Sequence, residues 1–171
     1  SIATVRVNLE SNPSFESSAS GWGSMAASGD SSVRRTNTDA KKETFSLEVT
    51  KGTGLTEATT ANLGSTSPSV TPGLAYTASA FVKVPSGEAS MPAELRISFL
   101  DTSGNLITTP QSYYGGTPQT VASADGWVRL SASGTAPAGA KYVRVNIGQL
   151  TGGVVGQKFL IDGVLVEQSS S

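Results

Sequence analysis

The chain has no cysteine and no histidine. The first absence excludes disulfides, thiolate metal sites and a cysteine nucleophile. The second excludes a Ser-His-Asp triad, the usual zinc sites and an imidazole general base. Charge is scarce too: only 15% of residues are charged and the net charge is −1, so nothing steers the chain toward nucleic acid or an anionic membrane. Its local basic accents, Arg34-Arg35 and Lys41-Lys42, read as solvated surface. No apolar run approaches the ~20 residues of a membrane-spanning helix. The N-terminus alternates with polar residues and carries no visible signal peptide. A cysteine-free chain is compatible with life outside a cell, although the redox compartment stays open.

Turn chemistry is what the chain has in quantity. It holds 19 Gly and 8 Pro in 171 residues, with many Ser and Thr, a profile of short strands joined by turns. Its length suits one domain. Period-two alternation appears at Phe45–Val49, Ala75–Val84, Leu95–Phe99, Trp127–Leu130 and Tyr142–Ile147, and Phe159–Val166 is almost continuously apolar. Between these runs lie Thr71-Pro72-Gly73, Pro85-Ser86-Gly87, Asp101-Thr102-Ser103-Gly104-Asn105, Asp125-Gly126 and Ala136-Pro137-Ala138-Gly139. No helical stripe and no internal repeat stands out. The pattern predicts an all-β, antiparallel β-sandwich of the jelly-roll kind, one domain over residues 1–167. Residues 168–171 read as the start of a linker, and the chain as a piece of a longer protein.

Alternation also assigns faces. Tyr76, Ala78, Ala80, Val82, Leu95, Ile97, Phe99, Val143, Val145 and Ile147 should point into the core. The opposite faces then carry Phe81, Arg96, Tyr142, Arg144 and Asn146 among Ser, Thr and Lys. Flat rings among forked donors suit a sugar, because a ring stacks on a pyranose and the donors meet its hydroxyls. A plain solvated face would have the same alternation. Tyr113-Tyr114-Gly115-Gly116 lies in the polar connection 108–125, where neighbouring side chains cannot both reach the core. One tyrosine at least should be exposed, as a glycan contact or a subunit interface.

The opening run "VRVNLESNPSFE", residues 5–16, reads as a first strand broken at Asn12-Pro13, after which Phe15 and Glu16 follow at once. Proline removes an amide donor and forces the preceding residue toward an extended shape. Far along the chain, Asp162 sits in the apolar run Phe159–Val166, where a carboxylate is costly unless paired or bound to a metal. Asp162-Gly163 as a hairpin turn would leave arms too short to be stable. A hard cation shared by Asp162 and the Glu16 turn would join the two ends of the chain. A metal-free hydrogen-bonded cluster is the alternative.

"VNLESNPSFE" followed by Gly21-Trp22, with "TFSLEVT", "VTPGLAYTASAFVKV", "LRISFLDTSG", "GWVRLSASGTAPAGAKYVRVNI" and "FLIDGVLVEQ", resembles the β-sandwich carbohydrate-binding modules of bacterial xylanases and cellulases. The likeness is greatest to the version found in phage minor tail and receptor-binding proteins. It runs in order over residues 5–167, and no single motif is specific. It implies a jelly-roll sandwich without catalysis, a glycan ligand and one structural calcium. By that resemblance the calcium would take carbonyls of Ser14 and of the Thr44 region, with Glu16 and the side chain of Asp162. Gly-Trp positions such as Trp22 and Trp127 would pack inward. The expected partner is a bacterial cell-surface polysaccharide, and the expected setting an extracellular or virion-borne tail protein within an oligomeric tail assembly. A ligand-free spacer or oligomerisation domain is the other reading. A glycosidase would need two carboxylates flanking a cleft, and the sheet residues expected around a cleft include none.

Overall fold

Strands with one apolar face must bury it, and two sheets packed face to face do so. In the computed structural model the described residues are 6–24, 31–53, 58–62, 66–111, 113–149 and 153–169. Along the chain the strands are β1 (Trp22–Ser24), β2 (Ser31–Thr36), β3 (Ser46–Lys51), β4 (Ala58–Asn62), β5 (Ala75–Lys83), β6 (Met91–Leu100), β7 (Tyr114–Gly115), β8 (Gln119–Val121), β9 (Val128–Thr135), β10 (Tyr142–Gln149) and β11 (Lys158–Gln168). Sheet A runs β1-β4-β10-β6-β7, with β8 also on β6, and sheet B runs β2-β3-β11-β5-β9. Every pairing is antiparallel. This is the antiparallel β-sandwich that the alternation predicts.

All ten residues assigned inward by alternation are buried in one core, joined by Leu47, Val49, Phe159, Ile161, Val164 and Val166. Burying side chains of this size contributes roughly 1.5–3 kcal/mol each. Trp22 is in the core as expected, edge-on to Phe15 with centroids 5.6 Å apart. Trp127 is only half-buried and gives its indole N–H to Asp39 Oδ1 at 3.3 Å. That tether holds it outside the core.

The first run is not a strand over its described part, 6–10. Val7 and Leu9 are exposed. Asn8 instead uses its side chain as a strand would use its backbone: Nδ2 donates to Val164 O and Oδ1 accepts from Val166 N, both at 2.9 Å. Leu9 N–H then reaches Val166 O at 2.7 Å. The segment thereby covers the half of β11 that β3 leaves free, since the β3 pairing stops at Ile161. At the end of this same half of β11, Gln168 is still in the strand and Ser169 N–H reaches Ala75 O at 2.8 Å. Sheet pairing therefore continues beyond residue 167, where a linker was expected.

Candidate functional site

Two outer faces carry the polar side chains, and the expected glycan contacts divide between them. On sheet A, β6 and β10 are in register with Arg96 opposite Asn146, Ser98 opposite Arg144 and Leu100 opposite Tyr142. Their core-facing neighbours alternate with them, so Arg96, Tyr142, Arg144 and Asn146 share one outer face. Phe81 does not join them. It lies on β5 in sheet B, on the opposite side of the molecule.

The connection 108–125, expected as one long loop, contains β7 and β8 and brings the two tyrosines to different places. Tyr114 pairs in register with core-facing Ile97. Its ring packs edge-on against Phe99 at 5.7 Å, and a Cβ on Gly134 would come within 2.6 Å of it. Tyr114 is thus a half-buried wall of the sandwich, with its hydroxyl at the edge near Thr135 O. Tyr113, 45% exposed, points the other way and takes the Arg96 guanidinium over its ring at 4.9 Å.

Beneath that pair lies a residue that the sequence reading missed. Glu94, 6% exposed, accepts from Arg96 Nε at 2.9 Å. Gly115 makes room for it, since a Cβ there would run into Glu94 Oε1. Alternation extended one step back from Arg96 finds Glu94, because β6 begins at Met91 and not at Leu95. The result is a stacked column of Tyr113, Arg96 and Glu94. The guanidinium is held between the ring and the carboxylate, with the rest of its fork given no partner among the described residues. Across the register, Asn146 Oδ1 is buried with no hydrogen-bond partner among the described residues. A buried acceptor left unmet costs about 1–3 kcal/mol, and this one lies beneath the face and not on it.

The residues expected around a metal do gather, on the side of sheet B. Asp162 is fully buried within β11, which runs on unbroken past Gly163 as a bulge and forms no hairpin there. Its Oδ2 accepts from Lys41 N at 2.7 Å and Lys42 N at 2.6 Å, and its Oδ1 from Gly163 N at 2.6 Å. No lysine or arginine side chain among the described residues pairs with it. Burial pushes its carboxyl above the ordinary range; the amide bonds oppose this and the nearby Glu16 charge adds to it. Glu16 Oε1 accepts from Thr44 N at 3.2 Å and Phe45 N at 2.9 Å.

Arg35 fastens this turn from the far side: it donates to the carbonyls of Phe15 and Glu16, with its guanidinium carbon 3.2 Å from the Phe45 ring centroid. Half of the Arg34-Arg35 pair is therefore a clamp, while Arg34 does sit on the surface, paired with Glu48. Phe15 and Glu43 both have positive φ, 59° and 56°, a conformation held only where surroundings impose it. Two neighbouring carboxylates are oxygen donors of the kind a hard cation takes, but their hydrogen-bond partners are backbone N–H groups. No group of three acidic or nitrogen ligands forms among the described residues. Main-chain oxygens such as those of Ser14 and Thr44 would have to complete the shell.

A family model described as a carbohydrate binding domain matches residues 7–149. No curated protein sequence matches the chain. Among solved structures, the chain is similar to the CBM22-1 xylan-binding domain from Paenibacillus barcinonensis Xyn10C (TM-score 0.65, 19% identity, covering 93% of each chain). It is also similar to the C-terminal family 22 carbohydrate binding module of Clostridium thermocellum Xyn10B (TM-score 0.66, 20% identity, covering 92% of this chain and 91% of that one). The enzymatically active domain of bacteriophage CBA120 tailspike protein 4 resembles it as well (TM-score 0.63, 17% identity), covering 95% of this chain but 22% of the tailspike chain.

Proposed function

Starting from a chain that belongs to the carbohydrate binding domain family, we propose that it attaches a larger extracellular or virion-borne protein to a bacterial cell-surface polysaccharide, without catalysis. The ligand lies on the outer face of sheet A. What carries this reading is the column of Tyr113, Arg96 and Glu94. An exposed ring and a guanidinium with N–H groups to spare can pack against and hydrogen-bond to successive sugar hydroxyls. Arg144 and Tyr142 extend the same face along β10. Tail-protein context is supported by the similarity to a phage tailspike domain. Glu94 is the one carboxylate that the β6 and β10 register places on this face among the described residues, short of the two that glycoside hydrolysis uses.

A calcium ion shared by Glu16 and Asp162 is part of the proposal, with a structural role. It would relieve the repulsion of two carboxylates and lock the N-terminal turn onto β11. The test is binding of the domain to an array of wall polysaccharides and xylan, with and without a chelator. Binding to one glycan class, weakened by Tyr113→Ala and by Arg144→Ala at unchanged melting temperature, supports the site. Loss of stability on chelation supports the ion. Silence across the array from a folded domain overturns the binding role and leaves a structural spacer.

A further inference from the structure

The outer face of sheet B holds a cleft of about 470 Å³ that the proposed glycan face does not use. That size lies within the ordinary range of small-ligand sites. Phe81, Ser79, Arg129, Lys42, Asn8 and Leu165 line it. Register explains how they converge. Phe81 stands between Asp162 of β11 and Arg129 of β9, and Ser79 stands opposite Leu165. Between Asp162 and Leu165 the bulge admits Gly163, at φ 57°, and Val164. A Cβ on Gly163 would lie 3.2 Å from both the Phe81 ring and the Lys42 stem. Glycine thus lets ring and lysine approach the same point.

The two cations of the cleft lining differ from five other cations of the surface. Arg6, Arg34, Lys83, Arg96 and Lys158 each pair with a carboxylate. Arg129 and Lys42 have no such partner among the described residues. Arg129 gives one N–H to Ser79 Oγ at 2.9 Å, which holds the fork beside the ring and leaves most of it free. Lys41 Nζ lies 5.1 Å from the Phe81 ring centroid. Glu43 is the one carboxylate in the lining, so the cations outnumber it.

We propose that this cleft is a second saccharide site, independent of sheet A, that takes a pyranose carrying a negative charge. Phe81 offers the ring against which the sugar packs. Arg129 and Lys42 meet the anionic group, since a guanidinium fork matches carboxylate and phosphate alike. Asn8, whose Nδ2 keeps a second N–H beyond its bond to Val164 O, is placed to meet a hydroxyl. A domain with ligand sites on opposite faces could hold two polysaccharide strands, or one charged strand twice, and gain by avidity.

The test is calorimetric titration of the full 171-residue chain with tri-galacturonic acid, with glucose 6-phosphate and, as the neutral control, with xylotriose. At least one anionic sugar should bind. Arg129→Gln and Lys42→Gln should each weaken it several-fold and together at least tenfold, added salt should weaken it further, and Tyr113→Ala should leave it unchanged. Whether the uronate or the phosphate binds identifies the charged group. Phe81→Ala serves as a further variant, with a thermal melt to show that it folds. The proposal is overturned if neither anionic sugar binds, or if the arginine and lysine variants leave binding intact. It is equally overturned if Tyr113→Ala abolishes the binding, or if xylotriose competes for the cleft as strongly. Because Tyr113→Ala reads the sheet A face alone, failure of this site and failure of the polysaccharide site are distinguishable.

Discussion

On sheet A, Arg96 is neutralised by the buried Glu94 and stacked under Tyr113, whereas on sheet B, Arg129 beside Phe81 has only the Ser79 hydroxyl. The buried acids differ in the same way. Glu94 has a guanidinium partner, and Asp162 has three backbone amides and the repulsion of Glu16. The outer face of sheet A therefore carries one internally neutralised pair, Arg96 with Glu94, beside the further cation Arg144. At the sheet B cleft, Arg129 and Lys42 have no carboxylate partner among the described residues and lie over a buried acid. The same residue types give two kinds of site because the partner of each charge differs.

The largest expected effect tests the acids. Asp162→Ala leaves the amides of Lys41, Lys42 and Gly163 without an acceptor, at roughly 1–3 kcal/mol for each buried group. The change should cost about 3–5 kcal/mol, the upper end for a single substitution. That is a fall of roughly 10 °C or more in melting temperature for a domain of this size. Glu94→Ala removes one charged hydrogen bond and should cost only about 1–2 kcal/mol, while weakening polysaccharide binding. Equal losses in urea denaturation would erase the distinction between the two acids.

Next comes the tyrosine pair. Tyr114→Ala opens a void between Phe99 and Gly134 and should cost about 2–4 kcal/mol of stability. Tyr113→Ala should cost under about 0.5 kcal/mol, as exposed positions do, and weaken polysaccharide binding about tenfold, or ~1.4 kcal/mol. Paired melting and binding curves read both. If Tyr113→Ala proves the destabilising one, the assignment of inward and outward tyrosine is reversed.

Arg35→Met should cost about 2 kcal/mol, because it strips the donor from two carbonyls while keeping some apolar cover over Phe45. Chemical denaturation checks it. A negligible loss would mean that the turn holds itself, and Arg35 would return to the surface role that its sequence suggests.

Arg35 also shows where sequence reading stops. Every residue that period two assigned to the core of β5, β6 and β10 is buried, although Met91 and Ala93 of β6 were missed. Alternation is a direct image of which face is buried. It does not say which strands share a sheet. Phe81 and Arg96 both face solvent, and only the pairing of β5 with β11 and of β6 with β10 separates them. Strands β1, β4, β7 and β8 are short and rich in Gly, Ser, Thr, Ala and Gln, so they carry little alternation to detect. Tyr114 was misplaced for that reason. Asp162 was legible because an acid in an apolar run is an energetic anomaly wherever the chain places it. Arg35 and Glu94 were not, because a charged residue at a strand position looks the same whether it clamps a turn, lies under another side chain or meets only water.

The smallest effect concerns pH, and it separates two acids of sheet B. The Arg34 hydrogen bond holds Glu48 below the ordinary carboxylate range, so its contribution is present above its unfolded value and is lost as pH falls through the folded one. Burial sets Asp162 the other way. Its folded carboxyl binds a proton more tightly than the unfolded one, whose ordinary value is 3.8. Its effect on stability is therefore most favourable below that value and declines as pH rises through the raised folded value. Comparing the melting temperature of the parent with that of Asp162→Asn across this window isolates the group, since Asn keeps an acceptor and cannot ionise. In chelator the parent should lose ground to the variant as pH rises. With calcium the trend should invert, because the ion binds the ionised carboxylate and must displace the proton to do so. If calcium leaves the slope unchanged, Asp162 is a hydrogen-bonded acid of the bulge alone, and sheet B has only its outer cleft to offer a ligand.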